Sequence, residues 1–167
     1  MAEKEERHLS WDEIHEKCVA LAEQVQSGSD KFKGLVAVAT GGLTPTHIIA
    51  KILGIKEIHA ACISTYEDEN PFQRAKAVIH SLPLLEDEGA GYLFIDDMID
   101  SGRTFDILRL QYPKAKFACL YAKERSLQLA DFMVEKMREN GWLVFPWEAR
   151  YEKPAEQNYD VPRPRVS

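Results

Sequence analysis

Residues 92–104 constrain the fold more than any other stretch, because they predict a buried strand, a polar turn and a helix in direct succession. Four apolar residues (92–95) predict a strand that is covered on both faces. The carboxylates of Asp96 and Asp97 follow the strand, and Asp100 opens a turn over residues 101–104. Apolar residues at helical spacing between 105 and 110 predict the helix. This succession is typical of an α/β domain.

The same turn has the chemistry of an anion site. Free backbone N–H groups and the helix dipole favour phosphate at a helix N-terminus, and Ser101 and Thr104 add hydroxyl donors. The carboxylates of Asp96 and Asp97 suit sugar hydroxyls or Mg²⁺, which prefers oxygen ligands. The residues therefore predict a site for a sugar phosphate handled with a metal ion. The alternative is an ordinary strand, turn and helix with solvated acids, in which Asp100 caps the helix.

Composition narrows the function classes. A chain of 167 residues with 45% apolar residues predicts one domain, 1–167, with a single core. No apolar run is long enough for a transmembrane helix, and the charged residues 1–10 do not resemble a secretory signal, so we expect a cytoplasmic protein. The net charge of −6 argues against nucleic-acid binding. Three scattered cysteines predict reduced thiols rather than disulfides or zinc.

The pattern along the chain predicts alternating helices and strands. Ser10 and Glu13 form a capping box before a helix that ends at Gly28. A second helix begins near Pro45 and ends at Gly54. Its predicted core face is Ile48, Ile49, Ile52 and Leu53. The predicted strands are residues 34–39, 58–64, 92–95 and 116–121. This order predicts a mostly parallel sheet with helices on both faces and ligands at the carboxyl ends of the strands, where Thr40, Asp96 and Lys123 fall.

Three segments are less regular. Residues 65–90 are polar and predict a long mobile loop with at most one hairpin, and a loop of this length is usually functional. Residues 126–140 fit either a helix face or a short strand at 132–135. The tail after Glu148 is rich in proline and charge and predicts an irregular arm.

The run over residues 92–104 resembles the phosphoribosyl pyrophosphate signature of the type I phosphoribosyltransferases. That signature is a hydrophobic strand, two acids, two further residues and then Asp-[Ser/Thr]-Gly-x-Thr, and every position matches. The resemblance extends to the bacterial xanthine–guanine phosphoribosyltransferases from about Ser10 to Glu148. The segments that carry it are residues 11–12, 33–39, 41–45, 62–66, 112–117, 121–123 and 145–148.

The resemblance implies roles for individual residues. Asp100 matches the candidate base for the N7 proton of a purine. Asp96 and Asp97 match the pair that faces the ribose hydroxyls and organises Mg²⁺. The 5′-phosphate loop is matched by Ser101, Gly102, Arg103 and Thr104, and the pyrophosphate loop by Thr40, Gly41 and Gly42. The resemblance also implies a small base-binding hood, which together with the C-terminal arm spans residues 124–167. The base-binding positions are matched by Lys123 for O6, Trp142 for stacking and the Leu143 carbonyl for a 2-amino group.

Two of these positions also have simpler interpretations. Lys123 could be a solvated cation at a strand end, and Trp142 could be a core aromatic residue. Trp11 and Trp147 are expected to be packing residues.

Thr40 departs from the resemblance, because that position usually holds a basic residue. The resemblance also implies a cis peptide bond, which we expect between Thr40 and Gly41. A lost guanidinium contact to an anion is worth roughly 1.5–3 kcal/mol. Arg74 and Lys76 are candidates to replace it.

The resemblance implies a Mg²⁺-dependent enzyme that transfers phosphoribose from phosphoribosyl pyrophosphate to guanine, xanthine or hypoxanthine, as a homodimer or homotetramer. An ammonium group at Lys123 would donate to O6 and oppose the amino group of adenine. Two alternatives remain open. One is a phosphoribosyltransferase for another base, such as adenine, orotate or a modified purine. The other is a regulatory protein that keeps the fold to sense a nucleotide or bind RNA.

Overall fold

A computed structural model describes residues 5–66 and 76–148, without the side chains of Glu5, Tyr66 and Lys76. Its strands and helices are β1 (Glu5–His8), α1 (Trp11–Ser27), β2 (Gly34–Ala39), α2 (Leu43–Leu53), β3 (Glu57–Tyr66), β4 (Lys76–Ser81), β5 (Tyr92–Ile99), α3 (Arg103–Gln111), β6 (Lys116–Lys123), β7 (Phe132–Met137) and β8 (Gly141–Val144). Short 3₁₀ helices occupy Asp87–Gly89, Glu124–Leu129 and Pro146–Glu148. Across the described ranges, no helix is both long enough and apolar enough to span a membrane.

The central sheet confirms the predicted fold class. Its strand order is β4-β3-β2-β5-β6-β7, and every neighbouring pair is parallel except β3–β4. Residues of α1 and α2 share one hydrophobic cluster with Leu35 and Leu93, whereas α3 shares another with Val36 and Phe94. Because successive residues of a strand face opposite sides, the helices cover both faces of the sheet.

The first helix has its predicted bounds. The hydroxyl of Ser10 accepts a hydrogen bond from the backbone N–H of Glu13 at 3.1 Å, and Gly28 follows the last turn. The predicted apolar face, Ile14, Cys18, Leu21, Ala22 and Val25, is buried. The reciprocal half of the capping box is wrong, because the carboxylate of Glu13 pairs with Arg7 of β1 instead.

The second helix corrects its predicted core face. Ile49 is fully buried, but Ile52 is 37% exposed, and Ile48 and Leu53 are only partly buried. The helix lies against β2, β5 and α1, and the residues that complete its buried side are Pro45, Thr46 and Ala50. Not every apolar residue of the pattern can face the core, because the stripe of the helix that touches the sheet is narrower than its apolar arc.

The strands around the predicted site are longer than the apolar runs. The strand β5 continues through Asp96 and Asp97 to Ile99, because its backbone keeps pairing with β6, with Asp96 opposite Cys119 and Met98 opposite Tyr121. Its other neighbour, β2, stops pairing at Ile95. The two acids therefore lie within β5, beside the open edge where β2 ends, rather than after the strand.

The irregular segments contain the strands that the pattern left open. Residues 76–81 form β4, which pairs antiparallel with β3 as the hairpin alternative requires, and residues 67–75 lie outside the described residues. Over 126–140 the strand alternative is confirmed, because residues 132–137 form β7 at the edge of the central sheet. The arm over 150–167 lies outside the described residues.

A separate two-stranded sheet was not predicted. Residues 5–8 of β1 pair in parallel with residues 141–144 of β8, with Glu6 opposite Trp142 and Arg7 opposite Leu143. The Arg7 guanidinium contacts Glu13 of α1 and lies 2.7 Å from the carboxylate of Glu135 in β7. These ion pairs tie the small sheet to the main domain. Strand β8 lies within 124–167, the range of the expected hood, and β1 and β8 together are called the hood from here on.

Candidate functional site

The acidic pair of β5 is partly buried at the end of the sheet. The backbone N–H of Asp97 donates to Oδ1 of Asp96 at 2.9 Å, and that of Met98 donates to Oδ1 of Asp97 at 2.7 Å. Removal from water raises the pKa of Asp96 well above its usual range, and the charge of Asp97 adds to the shift. Burial also raises the pKa of Asp97, with a further contribution from the charge of Glu148. The pair is therefore costly to ionise unless a cation balances it.

The glycine turn after β2 packs directly on this pair. The peptide bond between Ala39 and Thr40 is cis, one bond before the expected position. Thr40 is exposed, and the backbone N–H of Gly42 donates to the carbonyl of Val38 at 2.8 Å. A Cβ atom on Gly42 would come within 2.7 Å of that carbonyl, so the close backbone approach requires glycine.

The turn over residues 101–104 forms the wall of a cleft. Gly102 has a φ of +79° and precedes the first residue of α3, and a side chain there would overlap Leu129. The cleft has a volume of about 210 Å³ and is lined by Thr65, Asp96, Met98, Ile99, Asp100, Ser101, Gly102, Arg103, Thr104 and Phe105. The Nε atom of Arg103 is buried and lacks a hydrogen bond within the described structure. The cleft thus lies at a helix N-terminus beside the hydroxyl-bearing residues Ser101 and Thr104, as expected of an anion site.

Asp100 is held by cations rather than capping the helix. Its Oδ1 atom lies 3.0 Å from Nζ of Lys123 and also contacts the guanidinium of Arg125. The hydroxyl of Ser126 donates to the Asp100 carbonyl at 2.6 Å. Lys123 is only 6% exposed, so its interpretation as a solvated strand-end cation is wrong. A buried donor and an acceptor therefore lie side by side at the carboxyl ends of β5 and β6.

The two positions of β8 that were predicted to bind the base face a different cavity. Trp142 is 41% exposed, which excludes a core position, and Leu143 is buried in the core. Both line a cleft of about 480 Å³ between the hood and β7, with Glu6, Arg7, Glu135, Lys136, Met137, Arg138 and Gly141. The structure does not bring these two residues into the lining of the anion cleft.

Sequence reasoning missed Arg125, which contacts Asp100, and Glu139, which contacts Arg125. Arg125 bonds Asp100, and its own backbone N–H donates to Glu139, which lies in the turn between β7 and β8. The only signal was a second cation shortly after the strand that ends at Lys123, and such cations are common on solvated turns. Of the proposed substitutes for a basic residue at position 40, Arg74 lies outside the described residues, and the side chain of Lys76 is not described.

The acidic pair fits a magnesium ion only with help from a ligand. Within residues 5–66 and 76–148, no cluster of three His, Cys, Asp or Glu side chains could hold a metal alone. Mg²⁺ is usually bound by one or two carboxylates together with substrate phosphates and waters. Asp96 lines the anion cleft, and the carboxylate of the neighbouring Asp97 lies against Gly41, so the two carboxylates suit that mode of binding.

Comparisons with known proteins agree with the geometry. The phosphoribosyl transferase domain family matches residues 10–153. The chain is 37% identical over 140 residues to the xanthine-guanine phosphoribosyltransferase of Desulfotalea psychrophila, covering 84% of each chain. It is 34% identical to the enzyme of that name from Gluconobacter oxydans, covering 84% of this chain and 83% of the relative. The purine phosphoribosyltransferase structure from Pyrococcus horikoshii superposes with a TM-score of 0.72 at 27% identity, covering 87% of this chain and 95% of that one.

Proposed function

The chain belongs to the phosphoribosyl transferase domain family, and on this premise we propose that it is a purine phosphoribosyltransferase of the salvage route. The enzyme transfers the 5-phosphoribosyl group of phosphoribosyl pyrophosphate to a 6-oxopurine, which is guanine, xanthine or hypoxanthine. The products are the nucleoside 5′-monophosphate and pyrophosphate.

The choice of a 6-oxopurine rests on the pairing of Lys123 with Asp100. A 6-oxopurine presents an acceptor at O6 beside a donor at N7–H, and the ammonium of Lys123 lies 3.0 Å from the carboxylate of Asp100. The two side chains therefore match the two purine groups, donor to acceptor and acceptor to donor. Adenine offers an amino group in place of O6, which the buried ammonium would oppose.

The remaining parts of the site suit the donor substrate. Hydroxyl and backbone donors at Ser101, Gly102, Arg103 and Thr104 bind the 5′-phosphate, and the place of these residues in the lining of the anion cleft supports that role. The backbone of Thr40, Gly41 and Gly42 binds pyrophosphate against the acidic pair. Asp96 and Asp97 orient the ribose hydroxyls and would hold Mg²⁺, which would neutralise the charge of the leaving pyrophosphate.

In the transfer step, N9 of the purine forms a bond to C1′ as the bond from C1′ to the pyrophosphate oxygen breaks, with inversion at C1′. The oxygen leaves with the electron pair. The carboxylate of Asp100 accepts the N7 proton, which the purine loses as its ring becomes a glycosyl base. Lys123 holds O6, Trp142 stacks on the ring, and the Leu143 carbonyl accepts from a 2-amino group. Because Trp142 and Leu143 line the hood cleft, we expect β8 to approach the base when substrates bind.

Other parts of the proposal concern the whole protein. We expect a single domain over 1–167, a segment within 65–90 that excludes water from the bound substrates, and a homodimer or homotetramer in the cytoplasm. Exposed apolar side chains on α2 and β3, namely Leu43, Ile52 and Ile58, support self-association.

Turnover tests the proposal. The protein is incubated with phosphoribosyl pyrophosphate and Mg²⁺ against guanine, xanthine, hypoxanthine, adenine and orotate, and nucleotide formation is measured for each base. Product from 6-oxopurines alone is the expected result. Product from adenine or orotate would move the proposal to another base. A folded protein that binds nucleotides by calorimetry but turns over none of the bases would refute catalysis and favour the sensor.

A further inference from the structure

Arg125 joins the proposed base catalyst to the hood. Its guanidinium contacts Oδ1 of Asp100 through Nη2, and its Nε donates to the Asp100 carbonyl at 3.3 Å. On its other side, Nη1 lies 3.3 Å from Oε2 of Glu139. The backbone N–H of Arg125 donates to Oε1 of the same carboxylate at 2.8 Å. The side chain of Arg125 therefore contacts both the carboxylate and the backbone carbonyl of Asp100, and Glu139 holds Arg125 in place.

The two cations around Asp100 use the same oxygen. Both Lys123 and Arg125 contact Oδ1 of Asp100. In the proposed reaction, the ammonium of Lys123 divides its three N–H donors between Asp100 and O6 of the purine. Arg125 contacts both the carboxylate and the backbone carbonyl of Asp100 and has no proposed contact with the purine, so the reaction does not draw it away.

We propose that Arg125 is a positioning residue for Asp100, which fixes the carboxylate with Oδ2 toward the base while Lys123 serves O6. The inference rests on the proposed function and adds a residue to it. A carboxylate held by one fork through Oδ1 and through its own backbone has little freedom to rotate away from N7.

The contact with Glu139 extends this role to the base pocket. Glu139 lies in the turn that leads into β8, the strand of Trp142. A shift of β8 toward the purine therefore moves Glu139 and, through their contact, Arg125. The chain Glu139, Arg125 and Asp100 couples stacking of the purine to the placement of its proton acceptor.

Steady-state kinetics with guanine distinguish positioning from plain structural support. Arg125→Gln is expected to lower kcat about tenfold with a much smaller change in KM, because the acceptor is misplaced rather than the pocket removed. Arg125→Lys should recover part of the loss. The matched control is Lys114→Gln. Lys114 is 51% exposed, close to the 52% of Arg125, and its ion pairs with Asp87 at 2.5 Å and Glu88 at 3.0 Å lie outside the lining of both clefts.

Two further measurements make the test specific. Millimolar guanidinium ion should raise the kcat of Arg125→Ala toward the original value, and it should not raise that of the unsubstituted protein. Glu139→Gln should lower kcat by less than Arg125→Gln, and the double variant should resemble Arg125→Gln alone, since both act through one contact.

An unchanged kcat in Arg125→Gln, or equal losses in Arg125→Gln and Lys114→Gln, would overturn the inference while the unsubstituted protein remains active. Absence of turnover in the unsubstituted protein would instead refute the proposed function, and the inference with it.

Discussion

Gly41 leaves the space that the carboxylate of Asp97 occupies. A Cβ atom on Gly41 would lie within 2.6 Å of Oδ1 of Asp97, which no real side chain could tolerate. The turn after β2 and the acids of β5 are therefore in direct contact, although 55 residues of chain separate them. A pyrophosphate bound on the turn would therefore lie directly beside the acidic pair.

Substitution of Gly41 by alanine should abolish turnover while the protein stays folded. The added methyl group must push either the turn or Asp97 away, which separates the proposed pyrophosphate site from the proposed Mg²⁺ ligands. Turnover is measured over a range of Mg²⁺ concentrations, and folding is followed by circular dichroism. Gly28→Ala is the control, because a Cβ atom at Gly28 would make only ordinary contacts, the nearest at 3.5 Å. Normal turnover in Gly41→Ala would contradict the contact.

Asp100→Asn should reduce kcat about 100-fold or more, since an amide cannot accept the N7 proton as a carboxylate does. The KM for the purine should change little by comparison. Asp106→Asn, at an exposed position one turn into α3, is the matched control and should keep its activity. If both variants turn over at the original rate, Asp100 is not the base.

Lys123→Met should weaken selection for 6-oxopurines. The variant keeps an unbranched side chain of similar length but loses the donor to O6, and a hydrogen bond to a charged group is worth about 1.5–3 kcal/mol. We expect kcat/KM to fall for guanine and hypoxanthine and the preference over adenine to shrink.

The control for Lys123 is Lys116→Met, which alters the other end of β6. Lys116 is 42% exposed and pairs with Asp131 at 3.5 Å, far along the strand from Asp100. A kcat/KM ratio between guanine and adenine that Lys123→Met leaves unchanged would remove Lys123 from base recognition.

Trp142→Ala should raise the KM for the purine, because stacking of a base on an aromatic ring is worth about 1–3 kcal/mol. Trp11→Ala is the matched control. Trp11 is 55% exposed, compared with 41% for Trp142, and its ring lies 5.9 Å from that of Trp147 rather than in the hood cleft. Equal KM values for the two variants would show that Trp142 does not bind the base.

The thiols should react with iodoacetamide at very different rates. Burial raises the pKa of Cys18 to about 12, and burial with the charges of Asp96 and Asp97 raises that of Cys119. The thiolate is the reactive form, so a raised pKa leaves almost none of it at pH 8. Cys62 is only partly buried and should be labelled first. Mass spectrometry of native and urea-unfolded protein checks this order, and rapid native labelling of Cys18 would contradict it.

The sequence predicted the α/β fold because its main signals are local. Strand β2 was bounded correctly, since six apolar residues stand between polar neighbours and a glycine turn. The hood was expected within residues 124–167, but its two-stranded sheet was missed because β1 and β8 each have four residues and pair with each other across the whole domain. Neither carries a periodic signal of its own, and their pairing depends on contacts that no local pattern encodes.

The candidate site likewise has one part that local sequence signals predicted and another that depends on long-range contacts. The run of residues from Asp96 to Thr104 is contiguous, so its motif placed the acids, the turn and Asp100 together. Arg125 could not be found this way, because its role depends on how the segment after β6 folds back over Asp100. The exposure of Ile52 was missed for a related reason, since helical spacing shows which residues share a face but not how much of that face the sheet covers.

The parallel pairing of residues 5–8 with residues 141–144 has a consequence during synthesis. A chain leaving the ribosome can complete the strands β2 to β6 while β1 still has no partner, because β8 emerges only after them. Because β1 and β8 are so far apart in sequence, their pairing is expected late in folding. Nascent chains can therefore form the proposed phosphate-binding turn and the pair of Asp100 and Lys123 before the hood, with Trp142, is in place.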